Sequence, residues 1–195
     1  MNYLAHLALA YPDKELTIGN FIGDHVRDKD LDRFSKSIQE GVLMHRSIDI
    51  FTDNHSITKE LRQVLFREYR HLSRVLIDIY YDHFLAVHFT HFCGEDLSEF
   101  IINVQALLEQ DSKILPYTAQ RYLEGMISQN WLAAYAHVDG IESVLEKMSK
   151  RSGLEVLASG VHGLKEHYEI LEKGFMNFYP ELIDFCRQFK KKNIG

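Results

Sequence analysis

Apolar residues recur every three or four positions along most of the chain, the period of helices that bury one face. Ser98 to Glu109 shows it clearly, with Phe100, Ile101, Val104, Leu107 and Leu108 on one stripe. The same spacing predicts helices over Met1–Ala10, Leu16–Val26, Ser37–Phe51 and Thr58–Leu72. A long, strongly apolar segment follows at Arg74–Phe92, and another helical stretch at Thr118–Val138. Asp139 with Glu142 reads as a capping box that opens a further helix, closed by Gly153. Pro180 is expected to separate the last two helices, because proline lacks the amide that a helix interior needs. Period-two alternation is nearly absent, which argues against strands. No linker-like stretch or internal repeat divides residues 1–195. The expected fold is therefore all-α, a single helical domain of about eight to ten helices.

Composition changes this picture little. The chain has 195 residues, enough for one full core. It is 46% hydrophobic and 26% charged, an ordinary soluble profile. No apolar run approaches the roughly 20 residues that span a bilayer, so no membrane partner is expected. The start, MNYLAHLALAYPD, has no basic region and carries His6 among its apolar residues, unlike a signal peptide. Cys93 and Cys186 lack metal or redox spacing and read as reduced thiols of a cytoplasmic protein. A net charge of −6 weighs against nucleic acid as a partner. The basic run from Arg187 to Lys192 reads as a solvated helix end, or else as a docking patch for an acidic partner.

Charge inside apolar helices is the informative feature. Eight of the eleven histidines lie within residues 1–91, several beside aspartates. A buried carboxylate costs several kcal/mol unless it is paired or binds a metal. Four segments qualify. His6 interrupts the apolar Asn2–Ala10. Asp24 closes Gly19-Asn20-Phe-Ile-Gly23, where small residues permit close helix approach. His45 and Asp49 are i,i+4 neighbours on one face, Asp53 continues that face, and Arg46 beside them suits a phosphate oxygen. Asp78 and Asp82 lie one turn apart on the most apolar helix, followed by His83. Mixed nitrogen and oxygen ligands suit Mn²⁺, Fe²⁺ or Zn²⁺ better than Mg²⁺. With no Walker loop, GxGxxG, GxSxG or HExxH in the chain, hydrolysis by metal-activated water is the indicated chemistry. Tyr122, Trp131 and Tyr135 recur at helical spacing, either as core or as the wall of a groove.

Taken together, Asn2-Tyr-Leu-Ala-His6, Gly19-Asn20-Phe-Ile-Gly-Asp24, His45-Arg46-Ser-Ile-Asp49-Ile-Phe-Thr-Asp53 and Asp82-His83-Phe-Leu closely resemble the acyl carrier protein phosphodiesterase family. The likeness continues through Gln129-Asn-Trp131-Leu and Phe178-Tyr179-Pro180; Tyr81 and Phe89 depart from it, and His55 is additional. The resemblance implies an HD-domain-like phosphohydrolase, with Mn²⁺ as favoured metal, that removes 4′-phosphopantetheine from holo-acyl carrier protein. It also implies His6, Asp24, His45 and Asp82 as metal ligands, with Asp24 essential. Asp49, Asp53 and His83 would orient ligands or move protons, and Arg46 would hold the phosphate. Two other readings compete: an HD-like hydrolase of a nucleotide such as a guanosine polyphosphate, and a non-catalytic helical module with core ion networks. The sequence fixes no oligomeric state.

Overall fold

Two glycines let two helices touch backbone to backbone. A Cβ on Gly19 would stand 2.2 Å from the Ile38 carbonyl oxygen, and one on Gly41 would stand 2.5 Å from that of Leu16. No other residue fits either place without moving main chain. The helices so joined are α2 (Lys14–Phe21) and α3 (Lys36–Asn54). The computed structural model describes residues 1–193, and twelve α-helices and no strand are found among them. Before that pair comes α1 (Tyr3–Ala10). After it come α4 (Ser56–Tyr69), α5 (Ser73–Val87), α6 (Phe89–Cys93), α7 (Leu97–Gln110) and α8 (Tyr117–Ser128). The last four are α9 (Trp131–Ala134), α10 (Val138–Ser152), α11 (Gly160–Glu166) and α12 (Tyr168–Asn193).

The all-α expectation holds, with more and shorter helices than the periodicity implied. The Arg74–Phe92 segment breaks at His88. Thr118–Val138 breaks where Asn130 takes a left-handed φ of 51°, a conformation that asparagine tolerates better than most. The stretch Leu16–Val26 ends as helix at Phe21, and Gly23–His25 tightens into a 3-10 turn.

Two local expectations are corrected. Pro180 does not separate helices but lies inside α12. Proline costs a helix interior about 3 kcal/mol. Phe175, Phe178, Tyr179 and Leu182 around it are all buried, and each such side chain contributes about 1.5–3 kcal/mol. Packing therefore carries the helix across the break. The capping box at Asp139 does not form either. His137 caps α10 without a side-chain bond, and Asp139 falls inside the first turn, where its charge still complements the helix dipole. Gly153 ends that helix with a φ of 72°, as expected.

The core centres on α5, which is buried nearly all round through Leu76, Ile77, Ile79, Tyr80, Tyr81, Phe84 and Leu85. Helix α1 docks on it through a polar joint. The fully buried Asp82 accepts backbone N–H bonds from Asn2 (3.3 Å), Leu4 (2.7 Å) and Ala5 (3.2 Å). Those are amides that the first turn of α1 would otherwise leave unpaired. This joint sets the position of His6 on the next turn. Cys93 and Cys186 carry free thiols. No helix among the described residues is long and apolar enough to cross a membrane.

Candidate active site

His6 from α1 and His45 from α3 stack with ring centroids 3.8 Å apart and planes 16° from parallel. Each ring is oriented from behind by Asn20 of α2. The Nδ1–H of His45 donates to the Asn20 backbone carbonyl at 2.8 Å, and His6 Nδ1 lies 3.3 Å from the Asn20 side-chain oxygen. A backbone carbonyl can only accept, so His45 keeps a proton on Nδ1, and the Nε2 atoms of both rings face the opposite way. There they meet carboxylates. Asp49 places Oδ1 3.2 Å from the His6 Nε2 and Oδ2 3.3 Å from the His45 Nε2, while Asp24 Oδ1 lies 3.2 Å from the latter. Ligand atoms of His6, His45 and Asp49 lie within 4.8 Å of one another.

An imidazole lone pair facing a carboxylate is repulsive unless a positive charge stands between them. A proton can serve, and the electrostatics show the demand. Burial lowers the affinity of His45 for a proton, but the bonds to Asp24 and Asp49 more than reverse this and lift its pKa to about 9. Burial and the neighbouring His45 push His6 down to about 4. Burial alone would raise the Asp49 carboxyl; the two histidines instead hold it far below the usual carboxylate range. Asp24 is also lowered, chiefly by its bond from His45. The rings are buried, whereas the Asp24 side chain is 70% exposed, so the cluster opens on one side only.

Gly23, in the 3-10 turn before Asp24, packs on the ring itself. A Cβ there would lie 2.2 Å from His45 Cγ. Gly23→Ala is therefore expected to displace the ring and lower turnover about 10²-fold, the scale of a 1 Å misplacement. Circular dichroism should still report a folded helical protein. Full turnover in that variant would show that the ring is not positioned from this side.

The structure brings together His6, Asp24, His45 and Asp49 and leaves four expected site residues elsewhere. Asp82, expected as a ligand, spends its oxygens on the amides of α1. His83 is buried, donates from Nδ1 to the Tyr135 carbonyl at 2.7 Å and meets the Tyr168 hydroxyl at 3.1 Å, so it ties α5 to the later helices. Asp53 pairs with Arg62 on α4. Arg46 pairs with Asp28 and donates to the Val26 carbonyl at 2.9 Å, which pins the loop that carries Asp24. Of the basic residues near the sequence end, Lys190 reaches the carbonyl of Ala10 at 3.5 Å.

Beside Asp24 lies a cleft of about 460 Å³. Tyr3, Tyr122, Trp131 and Tyr135 provide aromatic wall, and Val144 and Met148 extend it. Lys147 and Arg151, one turn apart on α10, bring cations to it. Gln129 accepts from both Lys147 Nζ (2.8 Å) and Trp131 Nε1 (3.3 Å), and the Arg151 guanidinium lies over the Tyr122 ring, 5.5 Å from its centroid. Of the two readings open for Tyr122, Trp131 and Tyr135, both apply: all three border the cleft, Tyr122 and Trp131 as its half-buried wall and Tyr135 as a buried core residue beneath it. Sequence reasoning missed Lys147 and Arg151. Their signal was an i,i+4 pair of cations beside apolar Val144 and Met148. It also missed Asn20, which stood in a quoted motif without a role.

A paired His/Asp cluster at the end of an aromatic cleft, on an all-helical frame, is the layout of a hydrolase. The bond it hydrolyses is a phosphodiester, since the chain belongs to the acyl carrier protein phosphodiesterase family, whose model matches residues 1–182. A relative from Escherichia coli O6:H1 is 35% identical over 189 residues, covering 94% of this chain and 96% of its own. One from Yersinia pestis is 34% identical over 199 residues and all of both chains, and one from Shigella boydii is 35% identical over 188 residues, covering 94% and 96%. All three are named acyl carrier protein phosphodiesterase. No solved structure matches the chain.

Proposed function

We propose that the protein is a divalent-metal-dependent phosphodiesterase that removes 4′-phosphopantetheine from holo-acyl carrier protein. The observation that carries this is the pair of Nε2 atoms that meet Asp49 and Asp24 beside the cleft. The donor set fits a cation. Two imidazoles present Nε2 to the cluster, that of His45 with its Nδ1 proton held by the Asn20 carbonyl, and one carboxylate bridges both. His6, His45 and Asp49 would hold the metal with Asp24 beside them, and their mixed nitrogen and oxygen character favours Mn²⁺ over Mg²⁺. Bound there, such an ion would polarise a phosphoryl oxygen and acidify a water.

The chain's own groups do the rest. Asp24, exposed and already ionised, orients the attacking water and takes its proton. Lys147 and Arg151 offset the phosphate charge. The aromatic wall holds the pantetheine arm and keeps bulk water away from it. Water oxygen bonds to phosphorus, the bond from phosphorus to the carrier's serine oxygen breaks, and the proton given up by Asp24 returns through solvent to that oxygen, so the serine leaves as its alcohol. The products are apo-acyl carrier protein and 4′-phosphopantetheine. Mixed His/Asp ligands on helices fit an HD-domain-like phosphohydrolase, and two free thiols fit a cytoplasmic setting.

Incubation of the purified protein with holo-acyl carrier protein and Mn²⁺ should lower the carrier's mass by one phosphopantetheine, and chelation should stop the loss. An unchanged mass across several carriers and divalent metals would refute the proposal. Activity confined to a guanosine polyphosphate would replace it with nucleotide hydrolysis.

A further inference from the structure

The geometry points to the C-terminal end of α10 and the 3-10 turn Glu155–Leu157 as the docking surface for an acidic, apolar-tipped segment of the substrate protein. This inference rests on the reading above that the phosphodiester is carried by a protein. It names the surface that receives that protein.

The patch is locally basic in a chain of net charge −6. From Lys147 to Leu154 there are three cations, Lys147, Lys150 and Arg151, and no carboxylate. All three side chains are exposed. Among the described residues, neither Lys147 nor Arg151 has a carboxylate within ion-pair distance, and Lys150 reaches Glu146 only at 4.0 Å. Other arginines near the cluster are already neutralised: Arg27 by Asp30, Arg46 by Asp28, Arg62 by Asp53. Unpaired cations at the mouth of a cleft raise the local potential and steer an anionic partner toward it.

The patch also has an apolar part. Gly153 turns the chain at the end of α10, and Leu154 and Val156 directly after it are 43% and 47% exposed. Glu155 between them is the one acid of the segment. Exposed apolar residues rimmed by charge are the composition of a protein-binding site. Position connects the patch to the chemistry. Lys147, Met148 and Arg151 line the cleft that reaches Asp24, while Lys150, Leu154 and Val156 lie on the same stretch outside it. A segment seated there would hold a phosphodiester at the cleft and be gripped by groups that never touch the arm.

The test separates surface from site by altering only residues outside the cleft. The double variant Lys150→Glu/Val156→Glu is compared with the unaltered enzyme on two substrates, holo-acyl carrier protein and the small diester bis(p-nitrophenyl) phosphate, each with Mn²⁺. KM for the carrier should rise roughly tenfold, since reversing a rim charge and adding another weakens encounter. Its dependence on ionic strength should flatten, kcat should hold, and turnover of the small diester and the melting temperature should stay unchanged. Carrier kinetics equal to those of the unaltered enzyme would overturn the surface while leaving the activity intact. Equal loss on both substrates would also overturn it, because the damage would then lie in the site. An unaltered enzyme that hydrolyses the small diester but no carrier would overturn this inference together with the reading beneath it.

Discussion

His45→Ala should remove activity by a factor on the order of 10³ or more, beyond the 10- to 100-fold seen when only an outer partner of a ligand is lost. The ring has three partners at once: the Asn20 carbonyl behind it and two carboxylates in front. Its removal leaves Asp24 and Asp49 without the ring that bonded both. Metal content, measured by mass spectrometry after dialysis, should fall with turnover. Asn20→Ala provides the graded comparison. It deletes the side-chain oxygen that orients His6 but keeps the carbonyl that orients His45, so a loss within the 10- to 100-fold range is expected. A His45→Ala enzyme that keeps both metal and turnover would overturn the assignment of the cluster.

Asp82→Asn should damage the protein in a different way. The carboxylate is fully buried and accepts three amides. Burial drives its pKa up to about 7 against the pull of those amides, so the folded protein already holds this carboxylate at a cost. Asparagine has almost the same shape, but its NH₂ would point a donor at donors. Its one oxygen can keep the amides of Asn2 and Ala5, so the Leu4 amide loses its acceptor and faces a donor, at a cost of about 1–3 kcal/mol. For a chain of this size that lowers the melting temperature by roughly 2–12 °C. Urea titration gives the free energy directly. A metal ligand at this position would behave oppositely, with metal and turnover lost at unchanged stability.

This contrast shows what the sequence could and could not convey. His45 and Asp49 were readable because both lie on one helix, where a spacing of four fixes their shared face. His6 and Asp24 were readable as polar residues in apolar surroundings. Asp82 carried the same signal and means something else, because its partners are amides some 80 positions away and the amino-acid string does not mark which helix end will meet it. His83 lies apart from the cluster for the same reason, its partners being a carbonyl at Tyr135 and a hydroxyl at Tyr168. Arg46 sits beside His45 in sequence, yet adjacent helical residues point about 100° apart, and it turns to Asp28. The run through Pro180 was misread because local preference yielded to the aromatic packing of Phe175, Phe178 and Tyr179. The helical class was legible throughout, since it depends on a period repeated many times and not on any single partner.

The cleft is built from two separate stretches of chain. Residues 1–54 bring the stacked rings and the carboxylates, and residues 117–152 bring Tyr122, Gln129, Trp131, Lys147 and Arg151. On the proposed reading, the groups that break the bond and those that hold the substrate therefore sit on different stretches. The first stretch is locked by the Gly19–Gly41 contact and by Asn20, where almost any change misaligns a ring. The second can exchange one aromatic or cation for another while the catalytic cluster stays in place. Transplanting that second stretch between family members should move preference for one carrier over another without rebuilding the chemistry.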